Sequence, residues 1–341
     1  MKAFRPVAAL LTLVIFAGIA YVRQVASPSG PAMVQAANKF LASLSAEQRA
    51  QASFKADDQE RLNWFFVPRE DAKTKKPTRK GVRFEEMSAT QREAALALLQ
   101  SGTSASGYKA ATTIMSLEAI LKELEKESGP VRNPGWYFVS IFGTPAPSGK
   151  WGWRIEGHHL SLNFLVDNGQ VASATPCFFG ANPATVMDGA RKGTRAIPEV
   201  DDLARELFAS LDADQKKSCE QPKLLPEIVN NTGAKLGDPI GIAGAKLTEQ
   251  QRRTLMKLIQ AYTSKLPEDI AQAELARVNQ AGVEKIHFAY AGGAEKGKQH
   301  TYRLQGPTFV AEFLNQQADS AKNPANHIHS AWRHLPKDFG L

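Results

Sequence analysis

Apolar side chains recur at helical spacing in several parts of the chain. Two long amphipathic stretches, residues 88–128 and 248–281, each predict a pair of helices, and residues 198–210 predict a further one. The starts of helices carry a short recurring signal, in which an apolar residue precedes a Ser, Asp or Thr and a Gln follows three positions later. This is the pattern of an N-cap with a hydrophobic staple. It occurs at residues 44–49, 87–92, 211–216 and 247–252.

A longer match predicts an internal duplication. Residues 153–165 align without gaps on residues 302–314, with identical Arg, Gly, Phe and Leu. Strand-like runs surround both copies, at 136–142 and 170–179 for the first and at 286–291 and 326–334 for the second. With the helices that precede them, these runs predict two α-α-β-β-β units.

The expected fold class is therefore α+β, a pseudo-twofold duplication with antiparallel central strands and outer helices. The expected segments are a signal peptide or signal anchor over 1–26, a linker over 27–32, an N-terminal helical segment with a basic loop over 33–84, the first repeat unit over 85–185, a connecting helix and loop over 186–244, and the second repeat unit over 245–341.

The alternation of apolar and polar residues changes parity inside the repeated motif, at Gly157 in one copy and at Gly306 in the other. An extra residue at a glycine bulge would restore a continuous apolar face in each copy. The polar face of the first copy would then carry Arg154, Glu156, His159, Ser161 and Asn163, and that of the second would carry Arg303, Gln305, Thr308 and Glu312.

The N-terminus has the pattern of an export signal. Lys2 and Arg5 precede an apolar run over residues 7–22, which is a basic n-region followed by an apolar h-region. The run is near the lower length limit for a membrane span, so cleaved signal and uncleaved anchor both stay open. We expect a periplasmic or extracellular protein that meets a membrane only through this segment, if it is uncleaved.

The positive charge of the chain has two local sources. The 341 residues carry a formal net charge of +8, of which Lys2, Arg5 and Arg23 contribute three, so the remainder carries 8 − 3 = +5. Six basic residues crowd into residues 73–83 without an aromatic among them, whereas a base-stacking surface needs interleaved aromatics. We therefore expect no nucleic-acid partner. Two cysteines are too few for an all-cysteine metal cluster, and whether Cys177 and Cys219 form a disulfide stays open.

Histidines supply the candidate chemistry. Four of the seven lie in two close groups, His158-His159 and the alternation His327-x-His329, whose two side chains project to one side of a strand. Imidazoles with a carboxylate are the usual ligands of zinc, copper or iron. A metal-free cleft with acid–base histidines and a purely structural hydrogen-bond network are the alternatives.

Charged residues from the two copies of the repeated motif and from the last strand-like run complete the candidate site. Glu156 or Glu312 would be a fourth ligand or general base, and Arg154 and Arg333 would orient an anionic or carbonyl group of a substrate. The motifs of serine hydrolases, zinc proteases and dinucleotide-binding proteins are absent from the sequence.

Several phrases resemble the domain of unknown function 3500 family. They include Glu156-Gly157-His158-His159-Leu160-Ser161 and the run over 326–333, with further phrases at 137–145, 178–183 and 305–308. The resemblance covers most of the chain after residue 33 and implies an often exported bacterial protein, with no catalytic residues to carry over. Our hypothesis is an exported metal-dependent enzyme, hydrolytic or oxidative, acting on an unidentified small molecule or polymer. The alternative is a non-catalytic ligand-binding or structural protein.

Overall fold

A computed structural model describes residues 29–126, 129–234 and 236–341. The export segment expected over 1–26 lies outside the described residues. Within them the chain forms eight α-helices and one twelve-stranded, mostly antiparallel sheet, so the mixed α+β class is confirmed. Among these residues, no helix combines the length and the apolar character that a membrane span requires.

The structure describes eight helices, four of which begin directly after the N-cap signals of the sequence. They are α1 Ser29–Ser43, α2 Ala46–Ala52, α3 Ala89–Ser101, α4 Ala105–Glu125, α5 Pro198–Ala209, α6 Ala213–Cys219, α7 Glu249–Thr263 and α8 Glu268–Ala281. Reciprocal capping boxes form at Ser45, Ser88, Asp212 and Thr248, which confirms all four N-caps. The linker expected over 27–32 is wrong in part, because α1 already begins at Ser29. Pro31 fits the first turn, where no backbone N–H is needed inside the helix.

Strands from nearly the whole length of the described chain form one sheet. Its strands are β1 Ser53–Phe54, β2 Val82–Arg83, β3 Phe138–Phe142, β4 Lys150–Gly157, β5 Leu160–Asp167, β6 Gln170–Ser173, β7 Cys177–Phe179, β8 Ile242–Ala243, β9 His287–Gly292, β10 His300–Gln305, β11 Phe309–Gln317 and β12 His327–His334. The order is β1-β3-β4-β5-β7-β12-β11-β10-β9-β8, with β2 beside β3 and β6 beside β5. Strands β7 and β12 meet in the middle, so N-terminal and C-terminal parts share one sheet.

The repeated motif is a β-hairpin, and the expected glycine bulge is wrong. Strand β4 ends at Gly157, β5 begins at Leu160, and His158 and His159 form the two-residue turn between them. The parity of the apolar positions changes because the chain reverses there. Arg154 faces Asn163 across the hairpin, so both lie on one face as expected. The motif expected as one strand is therefore two strands in each copy, β4 and β5 in the first and β10 and β11 in the second.

The two faces of the sheet differ in character. Trp153, Ile155, Tyr302 and Leu304 pack under the helices in the main apolar core. The opposite face carries polar side chains such as Arg154, Glu156 and Arg333 and is covered by the loops over 55–80 and 222–234.

Charged side chains hold these loops in place. Arg154 Nη1 donates to Asn63 O over 2.8 Å, and Arg333 Nη2 donates to Asn231 O over 2.7 Å. Trp64 Nε1 joins the loops by donating to the same Asn231 O. The polar face is therefore an interior between sheet and loops.

A buried charged cluster joins helix α5 to the β9–β10 hairpin. Asp201 accepts from Arg205 Nε over 2.7 Å and lies 3.2 Å from His300 Nε2. Burial by itself would raise the pKa of Asp201, but His300 and Arg205 overcome it and lower the pKa to about 2. The carboxylate is thus charged in the folded protein across the physiological range.

Both cysteines are buried free thiols, so no disulfide joins them. Burial raises the pKa of Cys177 and of Cys219 to about 12. Thiols held protonated in apolar surroundings are poor nucleophiles.

Candidate metal centre

Three histidine nitrogens converge on the loop-covered face of the sheet. His159 Nε2 lies 2.8 Å from His327 Nε2 and 3.2 Å from His329 Nε2, and the last two are 3.1 Å apart. Among the described residues, these three form the group whose atoms fit around one metal ion. We call them the histidine triangle.

A tight turn positions His159. Its φ of +61° places it in the left-handed region, as the second central residue of a type II turn requires. Its N–H donates to Phe66 O and its carbonyl accepts from Gly180 N, both over 2.8 Å. Gly180 permits this approach, because a Cβ there would lie 3.1 Å from His159 Cδ2 and 2.6 Å from Ile328 O.

Strand alternation positions the other two rings. His327 and His329 stand two residues apart on β12 and project to the same side. His327 N donates to Asn315 Oδ1 over 3.1 Å. The ring of Phe66 meets His329 edge-on at a centroid distance of 5.1 Å, so an apolar wall backs that imidazole.

Whether each Nε2 atom carries a hydrogen decides whether the three rings can hydrogen-bond to one another or bind a cation. A neutral imidazole nitrogen is either a donor or an acceptor. Each of the three Nε2 atoms is either a donor or an acceptor, so at least two of them are of the same kind. At least one of the three contacts therefore joins two donors or two acceptors. Three lone pairs around a cation remove that conflict. Hydrogen bonds within the group therefore leave it unsatisfied, whereas a metal ion satisfies it.

Glu227 fixes the orientation of one imidazole. Both carboxylate oxygens of Glu227 lie 2.9 Å from His329 Nδ1. A hydrogen on Nδ1 of the neutral ring leaves the lone pair on Nε2, which points into the triangle. This carboxylate–histidine contact is the common outer partner of metal-binding histidines.

The environment keeps the rings of His159 and His327 unprotonated. Burial, followed by the charge that the neighbouring rings would carry, holds the pKa of His159 well below its usual range. The same causes lower the pKa of His327 to about 2. Metal binding requires neutral imidazole, so these rings are in the binding form at neutral pH.

The spacing also fits a coordination shell. Nitrogens about 2.1 Å from one ion are about 3.0 Å apart on an octahedral face and about 3.4 Å apart in a tetrahedron. The observed separations of 2.8, 3.1 and 3.2 Å lie around the octahedral value.

His158, the fourth histidine expected to bind metal, does not join the triangle. Its Nδ1 bonds Glu118 Oε1, and Arg132 Nη1 lies 3.2 Å from the same ring atom. Its ring lies 3.7 Å from that of His159, centroid to centroid. His158 is therefore held by Glu118 and packs against the ring of His159.

Glu156 and Arg154, expected in catalysis, bind the loop and each other. Glu156 Oε2 accepts from Phe65 N over 3.0 Å and lies 3.5 Å from Arg154 Nε. Arg154, only 1% exposed, also bonds Glu60 Oε1 over 2.7 Å. Their contacts hold the segment that contains Phe66.

Glu312 and Arg333 likewise lie apart from the group of three rings. Glu312 pairs loosely with Arg303 at 3.6 Å, and burial raises the pKa of Glu312. Arg333 is fully buried and donates to Asp338 over 2.8 Å. The carboxylate beside the triangle is Glu227, which sequence reasoning missed. Glu227 lies in an irregular Pro-rich connection. Its position directly after Pro226 is the one sequence feature there that could have drawn attention to it.

Comparisons with known proteins are sparse. No curated protein and no solved structure matches the chain. The model of the family described as a protein of unknown function (DUF3500) matches residues 27–341. That range contains the hairpin with His159 and the strand with His327 and His329. The chain therefore belongs to the DUF3500 family.

Proposed function

We propose that this protein binds a transition-metal ion through His159, His327 and His329. The observation that carries the proposal is the three-way contact of Nε2 atoms, which hydrogen bonds alone cannot satisfy. The carboxylate of Glu227 on His329 and the neutral state of the buried rings support it. Imidazole ligands suit zinc, copper or iron.

An open coordination shell favours a catalytic role over a structural one. Structural zinc sites use four protein ligands, whereas catalytic sites use three and leave a position for water or substrate. The described residues supply three ligands, and His327 is the partly exposed one of the three. When bound, the ion would supply Lewis-acid or redox chemistry, which corresponds to hydrolysis or oxidation. The protein's own residues hold His159 and His327 neutral, orient His329 through Glu227 and place Phe66 and Phe178 against the His329 ring.

An internal duplication accounts for where the ligands lie in the chain. Successive capping-box glutamines bond each other in both halves, Gln48 with Gln91 and Gln215 with Gln251. The hairpin turns also correspond, since Gly180 N donates to His159 O just as Leu335 N donates to Thr308 O. These parallels support a pseudo-twofold origin. The centre then combines the turn of one unit with the last strand of the other.

Export completes the proposed setting. The basic and apolar N-terminal segment supports it, and the family match begins at residue 27, after that segment. Mass spectrometry of the mature N-terminus from the producing cell tests it. A mature chain that begins after the apolar run supports a cleaved signal. A full-length chain in the soluble cytosolic fraction contradicts export.

Metal titration tests the centre. Untagged protein, stripped with chelator, is titrated with zinc, copper(II), iron(II) and cobalt(II) by calorimetry. We expect one site per chain that His329→Ala and His327→Ala abolish. His287→Ala is the matched control, because His287 bonds only Lys285 O and lies outside the triangle. The visible spectrum of the cobalt(II) form then reports how many ligands surround the bound ion.

Two results would overturn the proposal. One is that none of the four ions binds stoichiometrically. The other is that both triangle variants bind as well as the His287 control. If an ion binds but azide or another small anion never alters the cobalt spectrum, the shell is closed to added ligands. The alternative, a non-catalytic binding or structural protein, would then be correct.

A further inference from the structure

Lys265 is a buried amine beside a cavity remote in the chain from the histidine triangle. It follows the C-terminus of helix α7 and is only 6% exposed. A cavity of about 340 Å³ lies against it, between the first turns of α4, the start of α5 and the end of α7. That volume is at the lower end of the range for small-molecule sites.

The backbone holds Lys265 in place. Its carbonyl accepts from Ser104 N over 3.0 Å, at the N-cap of α4. Gly107 lets the helix approach, because a Cβ at that position would lie 1.9 Å from Lys265 O. The lysine is therefore fixed at the joint of two helices.

The amine of Lys265 has no carboxylate in contact. Its Nζ donates to Ala261 O in the preceding turn, and no ion pair to it is found within the described ranges. The rings of Tyr262 and Phe179 lie 5.6 and 5.9 Å from it, near the outer limit for cation–π attraction. A buried ammonium without a counter-ion is unfavourable, so the surroundings favour the neutral amine.

The pKa of Lys265 is consistent with a neutral amine. Burial lowers the pKa of Lys265 to about 8, although the charge of Glu199 opposes the shift. Glu199 lines the cavity together with two cationic side chains, Lys109 and Arg195. Arg195 is engaged by Asp202 over 2.6 Å. Lys109 forms no ion pair with the residues that the structure describes.

We propose that Lys265 is a nucleophilic amine that forms an imine with a small carbonyl compound bearing an anionic group. Its Nζ attacks the carbonyl carbon to give a carbinolamine, and loss of one water molecule leaves the C=N bond. The ammonium form first loses one proton to solvent, the two protons of the neutral amine then leave with the carbonyl oxygen as that water molecule, and no oxidant or reductant takes part. Lys109 supplies the free positive charge for a carboxylate of the ligand, such as that of a 2-oxo acid.

The amount of free amine sets the expected selectivity. At pH 7.5 a lysine with a pKa of about 8 is about one quarter neutral, whereas an ordinary exposed lysine is neutral in about one molecule per thousand. A more acidic amine is a weaker nucleophile, which reduces the advantage. We expect Lys265 to react at least about 10-fold faster than exposed lysines.

Reductive trapping tests the proposal. The full-length, chelator-treated protein is incubated with glyoxylate and sodium cyanoborohydride, and the adducts are located by peptide mass spectrometry. The expected result is one dominant carboxymethyl adduct at Lys265 that is absent from Lys265→Met. Lys296, whose side chain is 77% exposed, is the internal comparison in the same digest. Lys109→Met should slow trapping of glyoxylate at least about 3-fold but leave trapping of neutral acetaldehyde unchanged.

The outcomes separate this proposal from the metal centre, because chelator is present throughout. Labelling of Lys296 without Lys265, or labelling of Lys265 only after unfolding in urea, would overturn it. If Lys265 reacts but Lys109→Met slows both carbonyl compounds equally, the amine is reactive and the anionic specificity is wrong. Circular dichroism of each variant shows that its fold is retained.

Discussion

Gly180 offers the sharpest test of the histidine triangle, because it carries no side chain that touches a ligand nitrogen. Replacement by Ala would place a Cβ 2.6 Å from Ile328 O, the residue between His327 and His329. An ordinary contact needs about 3.4 Å, so the strand or the segment at Gly180 must move by about 0.8 Å. The paired bonds between Ala181 and Ile328, at 2.8 and 2.9 Å, resist that movement.

Two magnitudes follow from this clash. Overpacking of this kind costs about 1 to 3 kcal/mol of unfolding free energy. The unfolding entropy of a chain of this length turns that loss into a decrease of about 2 to 5 °C in Tm. Displacement of His327 and His329 relative to His159 should weaken metal binding about 10- to 100-fold, as loss of outer-shell support does elsewhere.

Calorimetric titration with zinc and thermal melts followed by circular dichroism measure both effects. Gly237→Ala is the control, because no heavy atom lies within 4 Å of its added Cβ and its φ is not positive. It should leave metal affinity unchanged. If Gly180→Ala is folded and binds zinc as tightly as Gly237→Ala, the triangle is not the metal site and the reasoning fails.

Four further outcomes follow from the contacts described above. Glu227→Gln should weaken zinc binding about 10-fold without abolishing it, and calorimetry showing unchanged affinity would contradict the orienting role. Asp201→Asn should be about 2 kcal/mol less stable than the parent above pH 4, and this difference should disappear as the pH falls from 3.8 through about 2. Urea denaturation across this pH range measures the difference. A difference in unfolding free energy that stays constant with pH would refute the prediction. Arg333→Ala should cost about 3 to 5 kcal/mol because Asp338 loses its partner, and a variant with normal stability but lost activity would restore the substrate-orienting role. Ellman's reagent should find no reactive thiol in the native protein and two, Cys177 and Cys219, after unfolding.

Helix starts and most strands could be predicted from the sequence because their signals are local. The N-cap at Ser88 needs only the next three residues, and the structure contains its capping box. The alternation around Gly157 correctly placed Arg154 and Asn163 on one face. It did not distinguish a bulge from a reversal, since both change parity. Only the pairing of β4 with β5 decides between them.

The surroundings of the site could not be predicted, because they depend on segments without periodicity. Arg154 and Arg333 share features with substrate-binding arginines, yet both bind loop carbonyls. The loops that cover them have no apolar repeat that indicates burial. Glu227 approaches His329 across 102 residues of chain, a separation that no local pattern encodes. The alternation of His327 and His329, by contrast, was sufficient to place two of the three rings side by side.

The pairing of β7 with β12 has a consequence for the order of events during biosynthesis. His159 and His329 are 170 residues apart, and the third corner, His327, lies on the same strand as His329. No fragment that ends before β12 contains more than one corner of the triangle. A nascent chain therefore has no complete centre until β12 has been made. The ion would be selected by the compartment in which the finished chain folds, and a truncated product would not sequester metal.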